Sequence, residues 1–116
     1  MSVGLVLVVA LGAAVGAPLR YLAGRWWDGR LPLGTIAVNV VGSFLLGWLT
    51  ALSLDGSTMA LLGSGFCGGL TTYSAFAVQS HERGVRLGSL TVALTVVPAL
   101  LACAFGFWLG EVPGQA

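Results

Sequence analysis

The chain contains no lysine, and its five arginines, four acidic residues and single histidine leave only 8% of 116 positions charged. Soluble domains carry charge at about a quarter of their positions, so an ordinary water-facing surface is excluded. A net charge of +1 points to no nucleic-acid or acidic partner. The only two cysteines, Cys67 and Cys103, lack metal-ligand spacing and read as small buried residues. There is no P-loop and no G-x-S-x-G elbow, and His81 has no partner at catalytic spacing, so no enzyme is expected. No internal repeat is long enough to fold two halves from one chain.

What is present is apolar: 57% hydrophobic residues and a mean hydropathy of +0.96. Crossing the hydrocarbon core takes about 20 apolar residues per helix. The charges divide the chain into four such stretches, residues 3–23, 33–54, 58–80 and 88–110. An all-α membrane protein is predicted, its residues 1–116 forming one four-helix transmembrane domain. The first stretch lacks a basic start and a convincing cleavage site, and is expected to be a retained helix. No predicted span centre carries Asp, Glu, Lys, Arg or His, which removes the usual equipment for proton coupling.

All five arginines lie at or beside the 24–32 and 81–87 loops. The positive-inside rule then predicts both loops to be cytoplasmic and both termini outside. Trp26, Trp27, Trp48 and Trp108 fall near span ends, where tryptophan anchors at the interface.

Within the spans, Gly12 and Gly16 form a G-x-x-x-G, read as a close-packing surface or, less simply, a dimer face. Thr35, Asn39 and Ser43 recur at i, i+4 and i+8 and share one stripe of a helix. A serine or threonine can bond back to its own helix. The Asn39 amide at bilayer depth must either tie helices together or line a polar path. Thr91, Thr95 and Pro98 in the last span read mostly as packing.

"GFCGGLTTYSAF", residues 65–76, interrupts a span with Gly68-Gly69 and then Thr71-Thr72. Each glycine weakens a helix by about 1 kcal/mol relative to alanine. A break at membrane depth persists only where the freed backbone is buried in protein or lines a cavity. Its carbonyls can then meet a cation and the new helix start an anion. Beyond it Tyr73 and Phe76, three apart, share a face beside hydroxyls. Four short helices can hardly enclose such a break, so a dimer is expected.

In order and spacing, "GAPLRYLAG", "GTIAVNVVGSFLLG" and "GFCGGLTTYSAF" resemble the Fluc (CrcB) family of small fluoride channels, over about residues 12–80. The resemblance implies an antiparallel dual-topology dimer of four-helix subunits in the plasma (inner) membrane, passing fluoride passively down its gradient. It implies a structural sodium ion at the dimer centre, held by the carbonyls of Gly68 and Thr71 from each subunit. It implies an ion path along Asn39, Tyr73 and Phe76, with Ser74, Thr72 and Ser43 as further members, and Arg20 at a vestibule. Tyr73 stands where the family has a phenylalanine. The one-sided arginines favour a fixed orientation and an oppositely inserted homologue as partner, with a homodimer as the other arrangement. The remaining functional readings are a non-conducting partner or scaffold subunit and a proton-coupled small-molecule exporter.

Overall fold

The computed structural model describes residues 2–112. It is all-helical, in the order α1 (Val3–Trp27), α2 (Leu33–Ala51), α3 (Gly56–Met59), a π-helical segment (Ala60–Cys67), α4 (Gly68–Leu70), α5 (Tyr73–Glu82) and α6 (Gly84–Glu111). Three of these, α1, α2 and α6, are long and apolar enough to cross a membrane. Their outer faces are bare hydrocarbon, with Leu7, Leu11, Leu100 and Leu101 each about two-thirds exposed, as lipid-facing helices require.

Helix ends follow local chemistry. The Ser2 hydroxyl accepts the Leu5 N–H to start α1, and Asp28, in extended backbone, ends it. Asp55 starts α3 by accepting from both the Thr58 N–H and its hydroxyl. The helices overrun two of the predicted span ends. α1 continues to Trp27, and the stretch expected as an 81–87 loop is almost entirely helical. His81 and Glu82 end α5, Gly84–Leu87 begin α6, and the turn between them is Arg83, followed by Gly84 at φ +77°. Charged side chains need water; their backbone does not need to leave the helix to reach it.

α2 is the central element. Its most extensive packing is against α6, where the Phe44 and Phe105 rings lie 6.0 Å apart. α1 lies instead against the π-helical segment and α4. That approach runs over Gly12 and Gly16: a Cβ at Gly12 would fall on the Leu61 carbonyl, and one at Gly16 on the Phe66 carbonyl. The G-x-x-x-G surface is thus spent on packing within the chain. A small core of Ala23, Val38 and Leu70, with Phe66 against it, joins α1, α2 and α4.

The helical ladder ends at Leu70 and resumes at Tyr73. Thr71 (φ −85°, ψ 160°) and Thr72 (φ −152°, ψ 128°) are extended, and the Thr72 hydroxyl caps α5 by accepting the Ala75 N–H at 3.2 Å.

Candidate functional site: a polar groove beside an extended pair of threonines

The Thr35–Asn39–Ser43 stripe of α2 faces this extended pair, and its three members have three different partners. Asn39 Oδ1 accepts the Thr72 N–H at 2.7 Å, and Asn39 Nδ2 donates to the Thr72 carbonyl at 3.1 Å. One buried side chain, 8% exposed, satisfies both backbone groups of a residue that has left the helix. Ser43 donates back to the Asn39 carbonyl at 2.7 Å. Thr35 is bound to Asp28, whose carboxylate accepts its N–H at 3.0 Å and its hydroxyl at 2.9 Å.

The clamp has a consequence for two carbonyls. In an unbroken helix the Thr72 N–H would point to the Gly68 carbonyl and the Ala75 N–H to that of Thr71. The first is taken by Asn39 and the second by the Thr72 hydroxyl. Both carbonyls are therefore released from helical partners. The π-helical register before Gly68, in which the Gly68 N–H reaches back five residues to the Gly63 carbonyl, adds to the irregularity of this stretch.

A groove of about 600 Å³ opens beside these groups. Asn39, Ser43, Gly68, Thr71, Thr72, Tyr73 and Phe76 all line it, with Thr95 from α6 and apolar walls that include Leu46, Met59 and Leu100. The rings of Tyr73 and Phe76 are 6.0 Å apart and inclined at 55°. Tyr73 is 80% exposed, held by no core of its own chain. Ser74 lies outside the groove, its hydroxyl 3.3 Å from that of Thr72.

Arg20 borders a second cavity, of about 500 Å³, with Tyr21, Arg25, Asp28, Thr35 and Gln79. Thr72 lines both cavities, so the extended pair is the wall they share. The Arg20 Nε and Gln79 Oε1 atoms are buried without hydrogen-bond partners.

Sequence reading took Thr95 for packing and passed over Gln79 and the carboxylate of Asp28. Thr95 sits four residues after Thr91, and that hydroxyl pair was the available signal. Thr91 is fully buried and bonds back to Leu87, whereas Thr95 reaches the groove. Gln79 carried no signal, because its partner Asp28 is 51 residues away.

Fold and site define a membrane protein whose apolar helices flank a mainly apolar groove carrying a few polar groups. Over residues 7–110 the chain matches the family described as "CrcB-like protein, Camphor Resistance (CrcB)". It is 49% identical over 107 residues to a protein named fluoride-specific ion channel FluC 2 from Rhodococcus jostii (strain RHA1), covering 90% of this chain and 94% of that one. It is 42% identical to a fluoride-specific ion channel FluC 1 from Nocardia farcinica (strain IFM 10152), over 90% of this chain and 82% of the relative. A FluC 1 from Geobacillus kaustophilus (strain HTA426) is 37% identical over 94% of this chain and 97% of its own. The chain belongs to the CrcB family.

Proposed function

We propose that the chain is one subunit of a fluoride-selective channel, which passes fluoride passively across the membrane and lowers its cytoplasmic concentration. It is not an enzyme: its relatives carry the name of an ion channel. The observation that carries the ion path is the double hydrogen bond from Asn39 to Thr72, made at the wall of a groove that also holds the Tyr73–Phe76 pair.

Fluoride is small and strongly hydrated, so a path must replace water without trapping the ion on a fixed charge. Asn39 spends one Nδ2 hydrogen on Thr72 and has a second to offer the groove. The hydroxyls of Ser43 and Thr72, with Ser74 beside them, extend the polar track, and the ring edges of Tyr73 and Phe76 present the positive part of the aromatic quadrupole. Arg20, at the neighbouring cavity, raises the local anion concentration at a vestibule.

Residues Gly56–Glu82 form the third of four crossings, interrupted at Thr71-Thr72, so that residues 1–116 make one transmembrane domain. The groove is completed by a second subunit in antiparallel orientation. That subunit is a homologue inserted the other way, since all five arginines lie toward one side of this chain; a homodimer is the alternative. The membrane is the plasma (inner) membrane, with the 24–32 segment and the Arg83 turn on the cytoplasmic side.

The released carbonyls of Gly68 and Thr71 suit a hard cation such as sodium, for which neutral oxygens are the appropriate donors. Two per subunit make half of a site. When bound, the ion fastens the two interrupted stretches to one another across the dimer centre. Replacing sodium by a large organic cation is expected to weaken the dimer or abolish transport; unchanged assembly and transport would argue against this site.

The test of function is release of fluoride from liposomes, with valinomycin clamping the voltage and chloride as control, for this chain alone and with a co-expressed homologue. Fluoride release without chloride release supports a selective channel. Release that needs the homologue supports the heterodimer. If Asn39→Ala and Phe76→Ala lower stability but leave flux unchanged, the chain is a non-conducting scaffold subunit. Uptake driven by a pH gradient would instead indicate an exporter.

A further inference from the structure

α5 carries both aromatic rings of the groove, yet it buries none of its ten side chains. Its close packing is confined to Ser80, whose carbonyl lies where a Cβ at Gly88 of α6 would fall, one turn beyond Phe76. Its two ends are tied by polar contacts. At the start, Asn39 holds Thr72 as described. At the far end, Gln79 Nε2 donates to Asp28 Oδ2 at 3.2 Å. The Arg83 guanidinium spreads over three carbonyls: Nη1 to Gln79 at 3.2 Å, Nε to Arg30 at 3.1 Å and Nη2 to Gly29 at 3.1 Å.

The receiving side of this latch is stiff. Asp28 is fixed by the N–H and hydroxyl of Thr35, which is 5% exposed in α2. The turn that follows it is closed by the Gly29 N–H to the Leu31 carbonyl, at 2.9 Å, and by the pairing of Asp28 with Pro32. Gln79 lies three residues beyond Phe76 on the same face of α5, and Arg83, seven residues beyond Phe76, is the residue that ends the helix. A pull at those two positions thus fixes the azimuth of Phe76 itself. Arg83 lies about 10 Å along the helix from Phe76 and cannot touch an ion beside it.

We propose that Gln79 and Arg83, acting on Asp28 and the 28–31 turn, are positioning residues that hold the Tyr73–Phe76 pair at the groove and so govern anion selectivity. This rests on the fluoride-channel reading. The latch acts through direction: Gln79 must donate, because the Asp28 oxygen can only accept. Arg83 must fork, because one ammonium could not span two successive carbonyls and the Gln79 carbonyl.

The chain has two tyrosines, Tyr73 on α5 and Tyr21 on α1, so 3-fluorotyrosine labelling gives one reporter of α5 at the groove and one of the second cavity, which Gln79 and Asp28 also line. The experiment combines ¹⁹F NMR of the labelled, liposome-reconstituted protein, with its co-expressed homologue where flux requires one, and the fluoride-to-chloride release ratio. Gln79→Met and Arg83→Lys remove donors with little change of volume. Each is expected to shift or broaden the Tyr73 resonance and to lower the release ratio by about tenfold or more, as loss of an outer support does at other sites. Gln79→Glu sets two carboxylates together and should do the same. Adding Asp28→Asn to it restores one donor–acceptor pair in the reverse direction and should recover both signals, an outcome that general loss of stability would not give. A Tyr73 resonance unchanged in all single variants, or one that moves while the release ratio stays constant, would overturn the proposal. Absence of fluoride release from the unmodified protein, with and without the homologue, would remove the fluoride reading and with it the selectivity role, while the Tyr73 resonance would still decide whether the latch orients α5.

Discussion

Two residues separate the stretch Gly56–Leu70 from α5, and the two are held in opposite ways. The first is packed: Gly63, Gly65, Cys67 and Leu70 are buried, and glycines of α1 bring backbone against backbone. The second has no fully buried side chain; it meets α6 closely where its Ser80 carbonyl lies against Gly88, and hydrogen bonds hold its ends. Packing tolerates no added atom but is indifferent to polarity. Hydrogen-bond ties tolerate volume but not loss of a donor. A chain that must keep one half of an irregular segment immobile and set the other half by orientation can use one device for each.

The largest effect should come from filling the packed half. Gly16→Val sets a side chain on the Phe66 carbonyl and the Leu70 N–H, which can move only if α1 and α4 separate. A loss of about 3 kcal/mol is expected, at the upper end of overpacking costs, seen as a fall in thermal stability in detergent. An enlargement at exposed Val78 of α5, Val78→Leu, should by contrast be close to neutral. If the two variants lost equal stability, the contrast between the halves would be wrong.

Next comes the joint between them. Asn39→Ala strands the N–H and carbonyl of Thr72 together and is expected to cost about 2 kcal/mol, within the range for unpaired buried polar groups. Asn39→Asp keeps the acceptor and loses the donor, so it should fall between the two in the same melt.

Amide hydrogen exchange sharpens the comparison without any substitution. Local opening ranges from nearly free to the global unfolding energy. The amides of Cys67 and Leu70 should exchange about a hundredfold more slowly than those of Ala77 to Gln79. Equal protection would mean that the end ties of α5 are as strong as the packing of its neighbour.

The smallest effect lies at the start of the packed half. The Thr58 N–H and hydroxyl hold the Asp55 carboxyl below its ordinary value. A depressed folded-state value means that this cap stabilises fully above the ordinary carboxylate range and fades as pH falls through the lowered value. The Thr58 amide shift should follow that titration, and Asp55→Asn should flatten it.

How much of this was legible in the sequence depended on distance along the chain. Gly68-Gly69 announced a weak helix because propensity is local, yet both glycines stay helical and the ladder stops after them, at Thr71-Thr72. The G-x-x-x-G surface, the shared face of Tyr73 and Phe76, and the Thr35–Asn39–Ser43 stripe followed from periodicity alone. The partner of Asn39 did not, being 33 residues away; of the two readings of its amide, the structure shows the tie, to Thr72, and the side chain also borders the groove. The contacts of Gln79 and Arg83 with the 28–30 segment span 51 to 54 residues and had no local signature. The π-helical register of Ala60–Cys67 was equally silent, since a changed ladder alters no side-chain type. The 81–87 segment was misread as a loop because charge was taken for irregular backbone.

The junction at Arg83 also sets a place where length cannot change against one where it can. Between α2 and α3, four residues of connecting chain lie outside the helices. Between α5 and α6 there is one, and Gly84 directly after it needs a positive φ that few other residues accept. An epitope or reporter domain threaded in after Ser53 has slack to absorb it. One threaded in at Arg83 has none, and would turn a short rigid elbow into a free swivel. Insertional scanning should therefore tolerate the turn at Ser53 and reject the one at Arg83.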